Sequence, residues 1–157
     1  MSGCSKDATP TAPGSSDAGT VLTQAMTAFQ AGSAQVKGVE RDRLLNEAAR
    51  HYEKLLKKFP GETNLCAQSL RALGSIHASQ GKTNEAVKFY ATIGEKYPSQ
   101  DWEVLMAWKA AADLLWDSNQ RSEAKKFYAK IVDRFGKSDA PQIISTVVRG
   151  SKARLAE

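Results

Sequence analysis

Few residues of this chain carry chemistry an enzyme could use. There are two histidines, His51 and His77, and two cysteines, Cys4 and Cys66. His51 adjoins Tyr52 with no cysteine or second histidine at ligand spacing, and His77 stands in an apolar helical pattern. Both read as packing or surface residues rather than metal ligands or bases. Asp113 and Asp117 stand i, i+4 and would share a helix face, the spacing of a carboxylate pair. No other polar residue converges on them, so a solvated face accounts for them. There is no glycine-rich phosphate loop, nucleophile elbow or Cys-x-x-Cys-His haem motif. Cys66 reads as a small buried hydrophobe, and two isolated cysteines are too few for a zinc site or a disulfide framework. The chain reads as a non-enzyme with no cofactor and no metal.

The elements that would position any binding residue are set by a repeat. Asn46-Glu47-Ala48, Asn84-Glu85-Ala86 and Ser122-Glu123-Ala124 follow one another at 38 residues (46→84→122). Each is followed by an aromatic (Tyr52, Tyr90, Tyr128), a branched aliphatic (Leu55, Ile93, Ile131) and a second aromatic (Phe59, Tyr97, Phe135). A stop then follows (Pro60, Pro98, Gly136). Such a period marks stacked helical hairpins. Hairpins are expected over about 20–60, 64–98 and 101–136, with a capping helix over 140–155.

In the first hairpin, Thr20 is the expected N-cap of a helix burying Val21, Leu22, Ala25, Met26 and Phe29. A loosened segment, Lys37 to Asp42, leads to a helix from Arg43 burying Leu44, Leu45, Ala48, Tyr52, Leu55, Leu56 and Phe59. In the second, Leu70, Leu73, Gly74 and His77 share one side. Gly81 supplies a left-handed residue to end that helix, Thr83 is the expected cap of the next, and Asn119 takes the place of Gly81 one repeat on. Gly74 or Ala112, with Ala86 or Ala124, would let paired helices approach closely. The last helix carries Ile143, Ile144, Val147 and Val148.

The 157 residues suit one domain, and 41% hydrophobic with 25% charged residues is ordinary globular composition. A net charge of +5, from 22 basic and 17 acidic residues, is far from a nucleic-acid signature. No run reaches the ~20 apolar residues of a membrane-spanning helix. Residues 1–19 are polar and small and form the expected disordered tether. Within it, Ser2-Gly3-Cys4-Ser5 resembles the end of a bacterial lipoprotein signal, with Met1 standing where an apolar leader would end. Cys4 is then the expected lipidation site.

These features resemble tetratricopeptide (TPR) repeats over about residues 20–155. The second hairpin matches the motif at Leu70, Leu73, Gly74, Ala86, Tyr90 and Pro98. The third matches at Trp108, Ala124 and Tyr128, and the first at Ala48, Tyr52 and Pro60. His77 stands for an aromatic core residue. The 38-residue period exceeds the family's usual one of about 34, and the aromatic-Pro repeat ends resemble periplasmic members of the outer-membrane assembly and Tol–Pal accessory groups.

The resemblance implies an all-α, right-handed superhelix whose concave side is lined by the first helix of each hairpin. The groove residues carried over are Gln68, Arg71, Ser75, Ala78 and Ser79 in the second hairpin. In the third they are Met106, Lys109, Asp113, Trp116 and Asp117. Asparagine, which clamps a peptide carboxylate in some members, is replaced by Ser75 and Asp113. The function implied is a non-catalytic protein-interaction scaffold, a lipid-anchored periplasmic adaptor at the outer membrane that binds a peptide or partner protein and no nucleic acid. Two alternatives stand beside it, a homo-oligomer stacking through the last helix and a cytosolic scaffold.

Overall fold

The computed structural model describes residues 15–137 and 139–157, with side chains from residue 17 onward. Cys4 and most of the expected tether therefore lie outside the described residues. Seven α-helices and no strand occur among the described residues: α1 Ser15–Ser33, α2 Val39–Lys58, α3 Thr63–Ser79, α4 Thr83–Lys96, α5 Asp101–Asp117, α6 Arg121–Phe135 and α7 Gln142–Ala156. They pair as antiparallel hairpins α1/α2, α3/α4 and α5/α6. Each second helix packs on the next first helix, and α7 closes the row against α6. This is the expected helical-repeat array.

The repeat skeleton is the core. Ala48, Ala86 and Ala124 are fully buried, as are Leu55, Ile93 and Ile131, and the three tyrosines at 52, 90 and 128 are buried with them. A Cβ on Gly74 would stand 2.8 Å from Cδ1 of Tyr90, so that crossing needs glycine. A second close approach was not anticipated: a Cβ on Gly94 in α4 would lie 2.7 Å from the indole of Trp108 in α5.

The turns repeat as faithfully. Gly81 (φ 77°) and Asn119 (φ 61°) are both left-handed. In each case the following amide, Lys82 or Gln120, donates back to His77 O (2.9 Å) or Leu115 O (2.8 Å). That pattern closes the two helices in a Schellman turn. Phe59 and Tyr97, kept out of the helical region by the prolines after them, stop α2 and α4 at the same register (φ −129°, ψ 52° and φ −128°, ψ 51°). Where Gly136 replaces proline, α6 runs one residue further.

Several expectations are corrected. Helix α1 begins at Ser15 rather than Thr20, with Ala18 already fully buried, because Ala18, Val21, Ala25 and Ala28 extend one helical stripe. Met26, expected in the core, is 51% exposed. Helix α2 starts at Val39, so the loose segment is confined to a short turn. Thr83 is the first helical residue after Lys82 and makes no capping bond; its hydroxyl faces Ser118 Oγ at 3.5 Å. In α7, Val148 is buried and Ile144 and Val147 pack on the core, which leaves Ile143 alone largely exposed. Of the four apolar residues offered for stacking between copies, Val148 is thus taken up by the core of the same chain.

Candidate functional site

The first helices α1, α3 and α5 lie side by side, and α5 and α7 wall one cleft at the end of the row. Residues spaced four, three and four apart share a helix face. On this side the stripes are Leu22, Met26 and Phe29 in α1; Asn64, Gln68, Arg71 and Ser75 in α3; Trp102, Met106, Lys109 and Asp113 in α5; and Ile143, Val147, Gly150 and Arg154 in α7. Five large hydrophobic residues are exposed among the described residues. Three of them, Met26 (51%), Trp102 (46%) and Ile143 (58%), fall on these stripes.

Two clefts open along this face. The first, about 310 Å³, lies between α1 and α3, with Leu22, Met26 and Phe29 on one wall and Gln68, Arg71 and Ser75 on the other. Tyr52 of α2 also lines it. The second, about 190 Å³, lies between α5 and α7 and is lined by Lys109, Asp113, Tyr128, Val147 and Arg154. Gln68, Arg71 and Ser75 are thus brought together in one cleft and Lys109 and Asp113 in the other. Met106 shares their helix face between the two.

The two groove cations occupy equivalent positions and are held differently. Arg71 Nε donates to Glu103 Oε2 at 2.6 Å, reaching across from α3 to α5, and the Glu103 side chain is only 6% exposed. No other hydrogen bond of the Arg71 side chain occurs among the described residues, so its two Nη groups are left to the cleft. Lys109 pairs instead with Asp113 on its own helix at 2.5 Å, with both side chains more than 40% exposed. Charge reversal at Arg71 would therefore face a buried carboxylate with another one. Such a reversal would lower thermal stability.

Each cation sits beside a hydroxyl-bonded residue one turn on. Ser75 Oγ and Tyr90 Oη lie 3.2 Å apart, and Tyr128 donates to Asp113 Oδ1 at 2.8 Å. Burial pushes both phenols above the ordinary tyrosine range, and for Tyr128 the adjacent Asp113 carboxylate adds to it. Asp113 is thereby engaged twice, while Asp117 is exposed and shares neither partner. No acid–base pair forms between them.

Trp116 does not present a flat apolar surface to the groove. It is 9% exposed, packs edge-on against Tyr128, and carries the guanidiniums of Arg121 and Arg154 at 4.9 and 4.7 Å from its ring. Helix α7 has closed over it. Trp102 and Glu103 were missed. Trp102 lies four residues before Met106, and that spacing could have found it. Nothing local marks Glu103 as buried, because its partner is 32 residues away.

Cys66 and His77 serve the packing of the array. Cys66 is fully buried, its thiol donates to Phe59 O at 3.3 Å, and burial raises its pKa, so it is no nucleophile. His77 stacks on Phe89 with ring centroids 5.1 Å apart. No cluster of three or more potential metal ligands occurs among the described residues.

Residues 68–99 match the family model described as Tetratricopeptide repeat. The match covers the hairpin with the most complete motif, from Gln68 in α3 to just beyond Pro98. No curated protein matches the chain. Together with the hairpin array built at a 38-residue period around it, the match supports the tetratricopeptide-repeat family for this chain.

Proposed function

We propose that this protein is a non-catalytic interaction scaffold that holds a peptide or a partner's helix against the face formed by α1, α3, α5 and α7. TPR repeats generally mediate protein–protein contacts, and the concentration of Met26, Trp102 and Ile143 on this one face carries the reading. A solvated face has no use for such residues, whereas an interface core does. Met106 adds to that apolar set, and Gln68, Arg71, Ser75, Lys109 and Asp113 supply the polar contacts around it. A photo-crosslinking residue at position 102 or 106 is expected to trap the partner in cells, and one at Lys57 or Lys126 on the second helices is not. Equal trapping from both sides would reject this face.

The finer reading is a lipid-anchored periplasmic adaptor of the outer-membrane assembly or Tol–Pal accessory type, resting on Ser2-Gly3-Cys4-Ser5. Expressed from its native gene in a bacterial host, the protein is expected in the membrane fraction, and its Cys4→Ser variant in the soluble one. Identical fractionation of the two would remove the anchor and leave a cytosolic scaffold.

A further inference from the structure

The net charge of this protein is not spread along the array. Residues 1–120 hold thirteen basic and thirteen acidic side chains, whereas 121–157 hold nine basic and four acidic ones. The whole excess of +5 therefore sits in the last part of the chain, which holds α6, α7 and the turn between them. Six of those nine cations have an internal partner. Lys126, Arg134 and Arg154 form ion pairs, Lys125 bonds the carbonyl of Leu155, and Arg121 and Lys130 lie over aromatic rings. The three without a partner among the described residues are Lys137, Arg149 and Lys152. All three are exposed, and all three line one cleft.

That cleft, about 320 Å³, opens between the end of α6 and the flank of α7 and is distinct from those on the first-helix face. Phe135 and Val148, both nearly buried, lie at its base, and Ser145 adds a hydroxyl. Arg149 and Lys152 are neighbours on one helix face, and like charges so placed repel. Asp139 is the nearest acid along the chain, but it lines the adjoining depression and forms no ion pair among the described residues. Elsewhere on this protein a groove cation is matched by a carboxylate, as Arg71 is by Glu103 and Lys109 by Asp113. Here that match is missing.

We propose that the α6–α7 cleft is a second docking site, which takes a carboxylate-rich segment of a protein partner through Lys137, Arg149 and Lys152. Charge complementarity selects an anionic occupant. Shape then selects among anions: a recess with an apolar base accepts side chains that project from a peptide, whereas a bilayer offers only a plane of headgroups. Three cations around one cleft are also too few to follow a nucleic-acid backbone.

The test is fluorescence anisotropy of a labelled Glu-rich peptide carrying one central Leu, titrated with the full chain at low and at physiological salt. Binding should weaken as salt rises. It should fall about tenfold or more in the Lys137→Gln/Arg149→Gln/Lys152→Gln variant, as expected when several close charge pairs are lost. These residues are exposed, so the variant's thermal melting should match that of the parent. Met26→Ser/Trp102→Ser should leave peptide binding unchanged, so this site and the first-helix face succeed or fail separately. No binding by the parent, or equal binding by the triple variant, overturns the proposal. So does tighter binding of phosphatidylglycerol vesicles or of duplex DNA through the same three residues.

Discussion

Arg71 and Lys109 stand 38 residues apart at the same place in successive hairpins, and by residue type they are near equivalents. Their surroundings make them different objects. Arg71 bridges two repeats and neutralises a carboxylate that has left water, whereas Lys109 pairs within its own helix in the open. The slots beneath differ in step. Gly74 leaves room for Tyr90 to press on the backbone and reach Ser75, while Ala112 carries a methyl and Tyr128 bonds a carboxylate instead. A repeat fixes where a side chain stands, but its partner in the next repeat decides what it does.

The widest separation between the slots should come from removing the cations. Arg71→Ala leaves Glu103 buried and unpaired, and should cost about 3 kcal/mol in chemical denaturation, the low end for breaking a buried pair because Arg71 is itself partly exposed. Replacing both partners together, as Arg71→Leu/Glu103→Leu, should recover most of that loss. If Arg71→Ala proves as mild as a surface change, the bridge between repeats is not a structural element.

Exchanging the small residues sharpens the same contrast. Gly74→Ala gains helix propensity but drives a methyl into Tyr90, for a net loss of about 2 kcal/mol. Ala112→Gly should lose only about 1 kcal/mol, the usual helix cost of glycine. Equal effects at the two positions would mean that the tyrosines are packed alike.

Tyr128→Phe comes next, at about 1 kcal/mol for the hydrogen bond to Asp113. Its signature is pH. The folded state favours the neutral phenol, so the unfolded chain ionises first, near the ordinary tyrosine value of 10.0. The contribution of Tyr128 is complete below that pH and is lost as pH rises above it. The alkaline decline in stability should therefore be shallower in Tyr128→Phe than in the parent, as read by urea denaturation across the alkaline range.

Lys109→Ala should have the smallest effect, under about 0.5 kcal/mol, because its pair with Asp113 is exposed on both sides. A loss comparable to that of Arg71→Ala would erase the distinction between the two slots.

Much of the array was legible beforehand because its causes are local. Ala86, Tyr90 and Ile93 announce a buried helical stripe by their spacing, and Gly81 and Asn119 announce left-handed turns by residue type. Trp116 was misjudged for the opposite reason: whether a tryptophan on a groove-side helix is offered or covered depends on α7, which arrives from beyond the repeat. Met26 was assigned to the core because the α1 stripe is continuous, yet Ala18 and Ala28 take the buried side and turn Met26 outward. Glu103 shows no sign of burial in its neighbours. Its burial becomes tolerable only once Arg71 is brought across from α3.

The sequence by itself determined the hairpin period, the turn chemistry and the tyrosine-filled interior. Each follows from short-range spacing and backbone preference. Only the tertiary structure decided which cations are neutralised and which are left unmatched, that α7 covers Trp116 while Trp102 remains exposed, and that the excess charge gathers around a cleft between α6 and α7. Those outcomes depend on side chains brought together from different repeats, and a 38-residue period carries no record of how one repeat faces the next.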